Sequence, residues 1–96
     1  TYDLELLQSK RYLFVGHISD ALPDLKYKFP NSIFMESETA HISNIEVDAV
    51  VMLIKWMSHS MFYKVKATGS LTDKKIIMCN TKNIDTVLQK MYNEIL

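Results

Sequence analysis

Cysteine, glycine and proline are scarce in this chain, which has one cysteine, two glycines and two prolines among 96 residues. A lone Cys79 rules out an internal disulfide and fits a reducing compartment. With glycine only at Gly16 and Gly69, neither the glycine-rich dinucleotide fingerprint nor a P-loop is present. Charge of one sign is not in excess either. Eleven basic residues face eleven acidic ones, for a net charge of zero, so the basic surplus that phosphate-backbone affinity needs is missing and nucleic-acid binding is not indicated. The longest apolar run, Ala49 to Ile54, falls far short of the roughly 20 residues of a membrane helix. The amino terminus lacks a basic-then-apolar export signal. There is no internal repeat and no low-complexity segment. These absences point to a cytoplasmic globular domain that neither contacts nor crosses a membrane.

What is present is a single short domain with 48% hydrophobic residues. A chain of this size buries only about 60–65% of the surface it exposes when unfolded, so nearly every apolar position must contribute to one core. The sequence opens at Thr1 in helix-like composition without an initiator methionine, so residues 1–10 are expected to be an amino-terminal helix or a linker from a larger protein. Residues 11–96 are expected to form the folded core.

The core is organised around DAVVMLIKWMSHS, Asp48 to Ser60. Its uninterrupted apolar stretch, 49–54, predicts a strand covered on both faces, as in a parallel sheet. Upstream, RYLFVGH (11–17) reads as a first strand ending at Gly16, where the absent Cβ permits a sharp turn. Ser19 or Asp20 can cap the next helix, with Pro23 tolerated in its first turn. SIFME (32–36) reads as a short second strand, and SETAHISNIEV after it has apolar spacing for at most two helical turns. Ser58 is a candidate cap for a helix carrying Met61, Phe62 and Val65, and KKIIMCN (74–80) is a fourth strand. Ile84, Val87, Leu88, Met91, Tyr92, Ile95 and Leu96 follow an amphipathic helical pattern, with Thr81 or Asn83 as cap. Strands alternating with helices predict right-handed crossovers and a small three-layer, Rossmann-like α/β fold with a four-stranded parallel sheet in the order 2-1-3-4.

In that order the first and third strands are neighbours whose connections leave to opposite faces, and ligands bind in the crevice so formed at the carboxyl ends. Gly16 and His17, Ser58, His59 and Ser60, and Asn80 and Thr81 converge there and constitute the predicted ligand-binding set. An anion at this edge would draw hydrogen bonds from the His59 ring and from the Ser60 and Met61 amides. Lys64 and Lys66 are candidate counter-charges. Capping alone also accounts for Ser58, Thr81 and Asn83, and a histidine bonded to a neighbouring loop also accounts for His59. A metal site built from His17, His59 and Cys79 lacks ligand-type spacing. No nucleophile, base and orienting group occur on separate elements, so no catalytic residues are assigned and no cofactor is named.

The stretch from Asp48 through Lys66, followed by a strand and a polar turn into a terminal helix, resembles a bacterial family of small Rossmann-like domains, the domain-of-unknown-function family 2325. Gly16, Asp48, Ser58, His59, Lys64 and Lys66 carry the resemblance. Members often have paired glycines where this chain has Gly16 and His17. The resemblance implies the same fold and a site after the third strand, and it implies no particular chemistry. The expectation is a non-catalytic regulatory or ligand-binding domain with an anion or phosphate site. The alternative is a structural or homo-oligomerisation module of a larger protein.

Overall fold

Apolar residues in succession are stable in a strand only where both its faces are covered, and the computed structural model, which describes residues 1–95, buries the first five of the run, Ala49 through Leu53. The elements in chain order are α1 (Leu4–Gln8), β1 (Tyr12–Val15), α2 (Leu22–Lys28), β2 (Ile33–Met35), β3 (Ala49–Leu53), a 3-10 turn (Ile54–Trp56), α3 (His59–Ala67), a second 3-10 turn (Gly69–Leu71), β4 (Lys75–Cys79) and α4 (Ile84–Ile95). All strand pairs are parallel and the sheet order is β2-β1-β3-β4, as the alternation of elements predicts. Phe34, Phe14, Val51 and Ile77 align in one row across the four strands. Among the described residues, no helix is long and apolar enough to cross a membrane.

Strand alternation divides the core into two layers. Tyr12, Phe14, Ala49, Val51, Leu53, Ile77 and Cys79 face α1, α2 and α4, where they meet Leu7, Leu25, Phe29, Val87, Leu88 and Met91. Phe14 sits at the centre of this layer, stacked on Phe34 at 5.3 Å and tilted against Phe29 at 5.6 Å. The opposite faces of β1 and β3, with Leu13, Val15, Val50 and Met52, pack on Met61 and Val65 of α3 and on Ile42 and Val47 of the β2–β3 connection. The connection after β1 therefore goes to one face and the connection after β3 to the other, so the two neighbouring central strands diverge at their carboxyl ends.

Local expectations are met in part. Residues 1–10 hold a helix that docks on the core: Leu7 is buried, its carbonyl accepts a 2.6 Å hydrogen bond from the Tyr12 hydroxyl, and Tyr2 donates to Asp85 at 2.9 Å. Burial, with the charge of Asp48 behind it, pushes the Tyr12 hydroxyl up to about 12. The central strand stops at Leu53, one residue short of its predicted end, because β1 pairs only as far as Met52 and Leu53 has Cys79 alone as a partner. Neither Ser19 nor Asp20 caps α2. Its cap is Ala21, without a side-chain hydrogen bond, and the Asp20 carboxylate is bound elsewhere. Residues 36–48 form turns rather than a helix. Asn44 there has a φ of 61°, a left-handed conformation that interrupts helical periodicity. The α4 helix runs as predicted through Ile95; Leu96 lies outside the described residues.

Candidate functional site at the carboxyl edge of the sheet

At the end of β1, Gly16 has a φ of 151°, and a Cβ there would stand 3.3 Å from the Leu53 Cβ. The conformation favours glycine, and the space around a Cβ would be tight. The turn it permits lets the Gly16 amide donate to the Met35 carbonyl at 3.0 Å and the His17 amide to the Trp56 carbonyl at 2.6 Å. The exits of β1, β2 and β3 are thereby tied together. From β4, Lys82 completes the edge: its Nζ donates to both Asp20 carboxylate oxygens at 2.9 and 3.0 Å and lies 4.8 Å from the centre of the Trp56 ring. The ammonium holds the Asp20 carboxyl below the usual carboxylate range. A cation, an indole and a carboxylate from three different connections thus meet at the divergence between β1 and β3.

The predicted residues divide around this centre. His17 is exposed beside it, with its amide fixed by Trp56. Asn80 is exposed at the end of β4. Thr81 accepts from the Asn83 amide at 3.1 Å, and Asn83 caps α4 by accepting from the Thr86 amide at 3.0 Å. Ser58 caps α3 through the Met61 amide at 3.1 Å and donates to Glu38 at 3.3 Å. The Met61 amide is therefore already engaged, and the Ser60 amide is the remaining one of the two proposed for an anion. Lys64 donates to the carbonyls of Glu38 and Ala40, pinning the helix-free connection to α3. Lys66 lies two turns along α3, 6.0 Å from the centre of the Phe62 ring.

Of Gly16, Asp48, Ser58, His59, Lys64 and Lys66, four have a scaffold role. Gly16 makes the turn, Ser58 caps, and Lys64 pins. The Asp48 carboxylate accepts from the Arg11 amide at 2.8 Å while its own amide donates to the Arg11 carbonyl at 2.7 Å, which fixes the start of β1 against β3. The exposed His59 ring takes part in none of these contacts. It borders an open recess of about 380 Å³ lined by Ile54, Met57, Ser58, His59, Phe62 and Tyr63.

Other chemistry is not assembled. Cys79 is buried inside β4, and burial pushes its thiol up, away from the thiolate that a metal or an electrophile needs. Among the described residues, no three His, Cys, Asp or Glu side chains come together as a metal site, and no charged or polar residue is fully buried. A broader recess of about 680 Å³ opens at the amino edge, bordered by Arg11, Asp48, Asp73 and Lys74. Of its charges, the Arg11 Nε donates to Asn31, Asp48 bonds the Arg11 backbone and Lys74 lies 4.0 Å from Asp73, while Glu46 also borders it.

Asp20 is expected from the sequence only as a helix cap, and neither Lys82 nor Trp56 is among the predicted ligand-binding residues. The contact joins residues 62 positions apart, and only the fold brings them together. Fold and edge define a doubly wound parallel α/β domain with a polar carboxyl edge. The chain matches no family model, no curated protein and no solved structure.

Proposed function

We propose that this chain is a non-catalytic regulatory or ligand-binding domain that recognises an anionic group, such as a phosphate, at the carboxyl edge of its sheet. The observation that carries this reading is the meeting of Lys82, Trp56 and Asp20 between the diverging exits of β1 and β3, with His17 and His59 exposed on the same two connections. Asp20 occupies the ammonium in the way an incoming anion would, so a ligand competes with an internal carboxylate and affinity is tuned by that competition. The structural roles of Gly16, Asp48, Ser58 and Lys64 leave His59 and Lys66 available for recognition. A reducing, cytoplasmic setting is part of this reading, in keeping with the single buried cysteine.

Thermal shift against inorganic phosphate, pyrophosphate and a set of nucleoside mono- and diphosphates tests it, because a ligand that binds only the native state raises the melting temperature. At least one phosphorylated compound is expected to raise it, and Lys82→Met is expected to abolish the rise. A flat response across the panel contradicts the proposal.

A second reading, a homo-oligomerisation module, is favoured by the open edge of β4. Met78 there is 41% exposed, and an unpaired edge strand is a template for a second copy. Lys90 covers part of this edge by donating to the Met78 carbonyl. Sedimentation at micromolar concentration separates the two readings: a dimer that Met78→Lys dissociates supports assembly, and monomer throughout removes it.

A further inference from the structure

Helix α3 carries two stripes. Met61 and Val65 are buried against the sheet, while His59, Phe62, Tyr63 and Lys66 recur at i, i+3, i+4 and i+7 and so share another face. Tyr63 is 65% exposed on that face, with its ring edge-on to Phe62 at 5.6 Å. Ile54, 42% exposed, and Met57 leave β3 to form the opposite wall of the recess beside His59, Phe62 and Tyr63. Apolar surface gathered in a groove and rimmed by polar groups marks an interaction site.

The charge around it has one dominant sign. From Ala49 through Thr72 the chain contains Lys55, His59, Lys64 and Lys66 and no acidic residue. Lys64 is spent on backbone carbonyls. The ion pairs among the described residues join Lys74 to Asp73, Lys82 to Asp20 and Lys90 to Glu94, so neither Lys55 nor Lys66 takes part in one. Glu38 reaches the Ser58 end of the recess, and the Lys66 ammonium lies 6.0 Å from the Phe62 ring that lines it.

We propose that this groove docks an acidic amphipathic helix of a partner protein. Apolar side chains at helical spacing would enter between Ile54, Met57, Phe62 and Tyr63, and flanking carboxylates would meet Lys55 and Lys66, the mode in which an apolar helix face lies in a groove and charge sets its register. Two available lysines beside an apolar cleft are too few for a nucleic-acid backbone or an anionic bilayer, both of which are read by a broad basic surface. The inference rests on the binding-domain reading and names a partner for its His59 end; it does not depend on the Lys82 centre.

The probe is a fluorescently labelled synthetic helical peptide of about four turns, with leucines along one face and glutamates on the other, titrated into the whole chain by anisotropy. Saturable binding that salt weakens is expected. Lys66→Glu and, separately, Tyr63→Ser should each weaken it about tenfold or more, and both positions are exposed enough that melting curves should stay close to the parent. Replacing the peptide's glutamates by lysines should weaken it comparably. Absence of saturable binding, equal binding of a scrambled peptide, indifference to both substitutions, or preference for phosphatidylserine vesicles or an oligothymidylate over the peptide would overturn the proposal. Peptide binding with no response to the phosphate panel would leave this groove standing and remove the small-anion site. A phosphate response with no peptide binding would do the reverse.

Discussion

At the scale of single residues, the carboxyl edge separates positions that hold the chain from positions free to recognise something else. Gly16→Ala forces an L side chain into a φ of 151° against Leu53, and urea melts should show a loss of about 1–3 kcal/mol. Ser58→Ala removes the cap of α3 and should cost about 1 kcal/mol in the same measurement. His59→Ala should stay within about 1 kcal/mol of the parent, as for a surface change, while losing ligand or partner binding; a large destabilisation with binding intact would make His59 a packing residue. The Asp20–Lys82 pair has a pH signature. Because Lys82 lowers the Asp20 pKa from 3.8, its contribution to stability is present above that value and is lost as pH falls through the lower folded value. Acid melts of Asp20→Asn should therefore fall less steeply below that point than those of the parent.

At the scale of elements, what the sequence discloses depends on how local the determining forces are. The apolar run 49–54 and the periodicity of α4 are local signals, and both elements form, the strand one residue shorter than expected. Leu88 is wholly buried on α4. Leu88→Ala should cost about 2–5 kcal/mol by denaturant melt through the cavity left behind, and a negligible change would mean that α4 is not docked as described. The exit of β3 was less legible, since Ile54 is as apolar as its predecessors and leaves the strand only because its neighbours have ended. The connection 36–48 was misread for a similar reason. Its apolar residues Ile42 and Val47 are buried, but they are held by Lys64 reaching back to two carbonyls rather than by helical hydrogen bonds. Asp20 had the composition of a cap, yet Lys82 claims its carboxylate from far along the chain. Caps whose partner is local, such as Ser58 and Asn83, were readable; those decided by tertiary partners were not.

At the scale of the whole molecule, a net charge of zero conceals an uneven distribution. Acidic side chains lie on α1 and α4 at Asp3, Glu5, Asp85 and Glu94, whereas the chain from β3 through α3 has only basic ones. A neutral total argues against nucleic acid but is silent about segments: from Ala49 through Thr72 the chain carries Lys55, Lys64 and Lys66 and no carboxylate side chain. The parallel order β2-β1-β3-β4 sets β1 and β3 side by side, so the two proposed sites both lie on connections that leave their carboxyl ends. The most direct test of the binding reading is a map of backbone amide shifts in ¹⁵N-labelled protein titrated with pyrophosphate. Saturable shifts centred on His17, on Lys55 through Ser60 and on Lys82 are predicted. Shifts centred instead on Arg11, Asp73 and Lys74 at the opposite edge, or no shifts at all, would contradict the account.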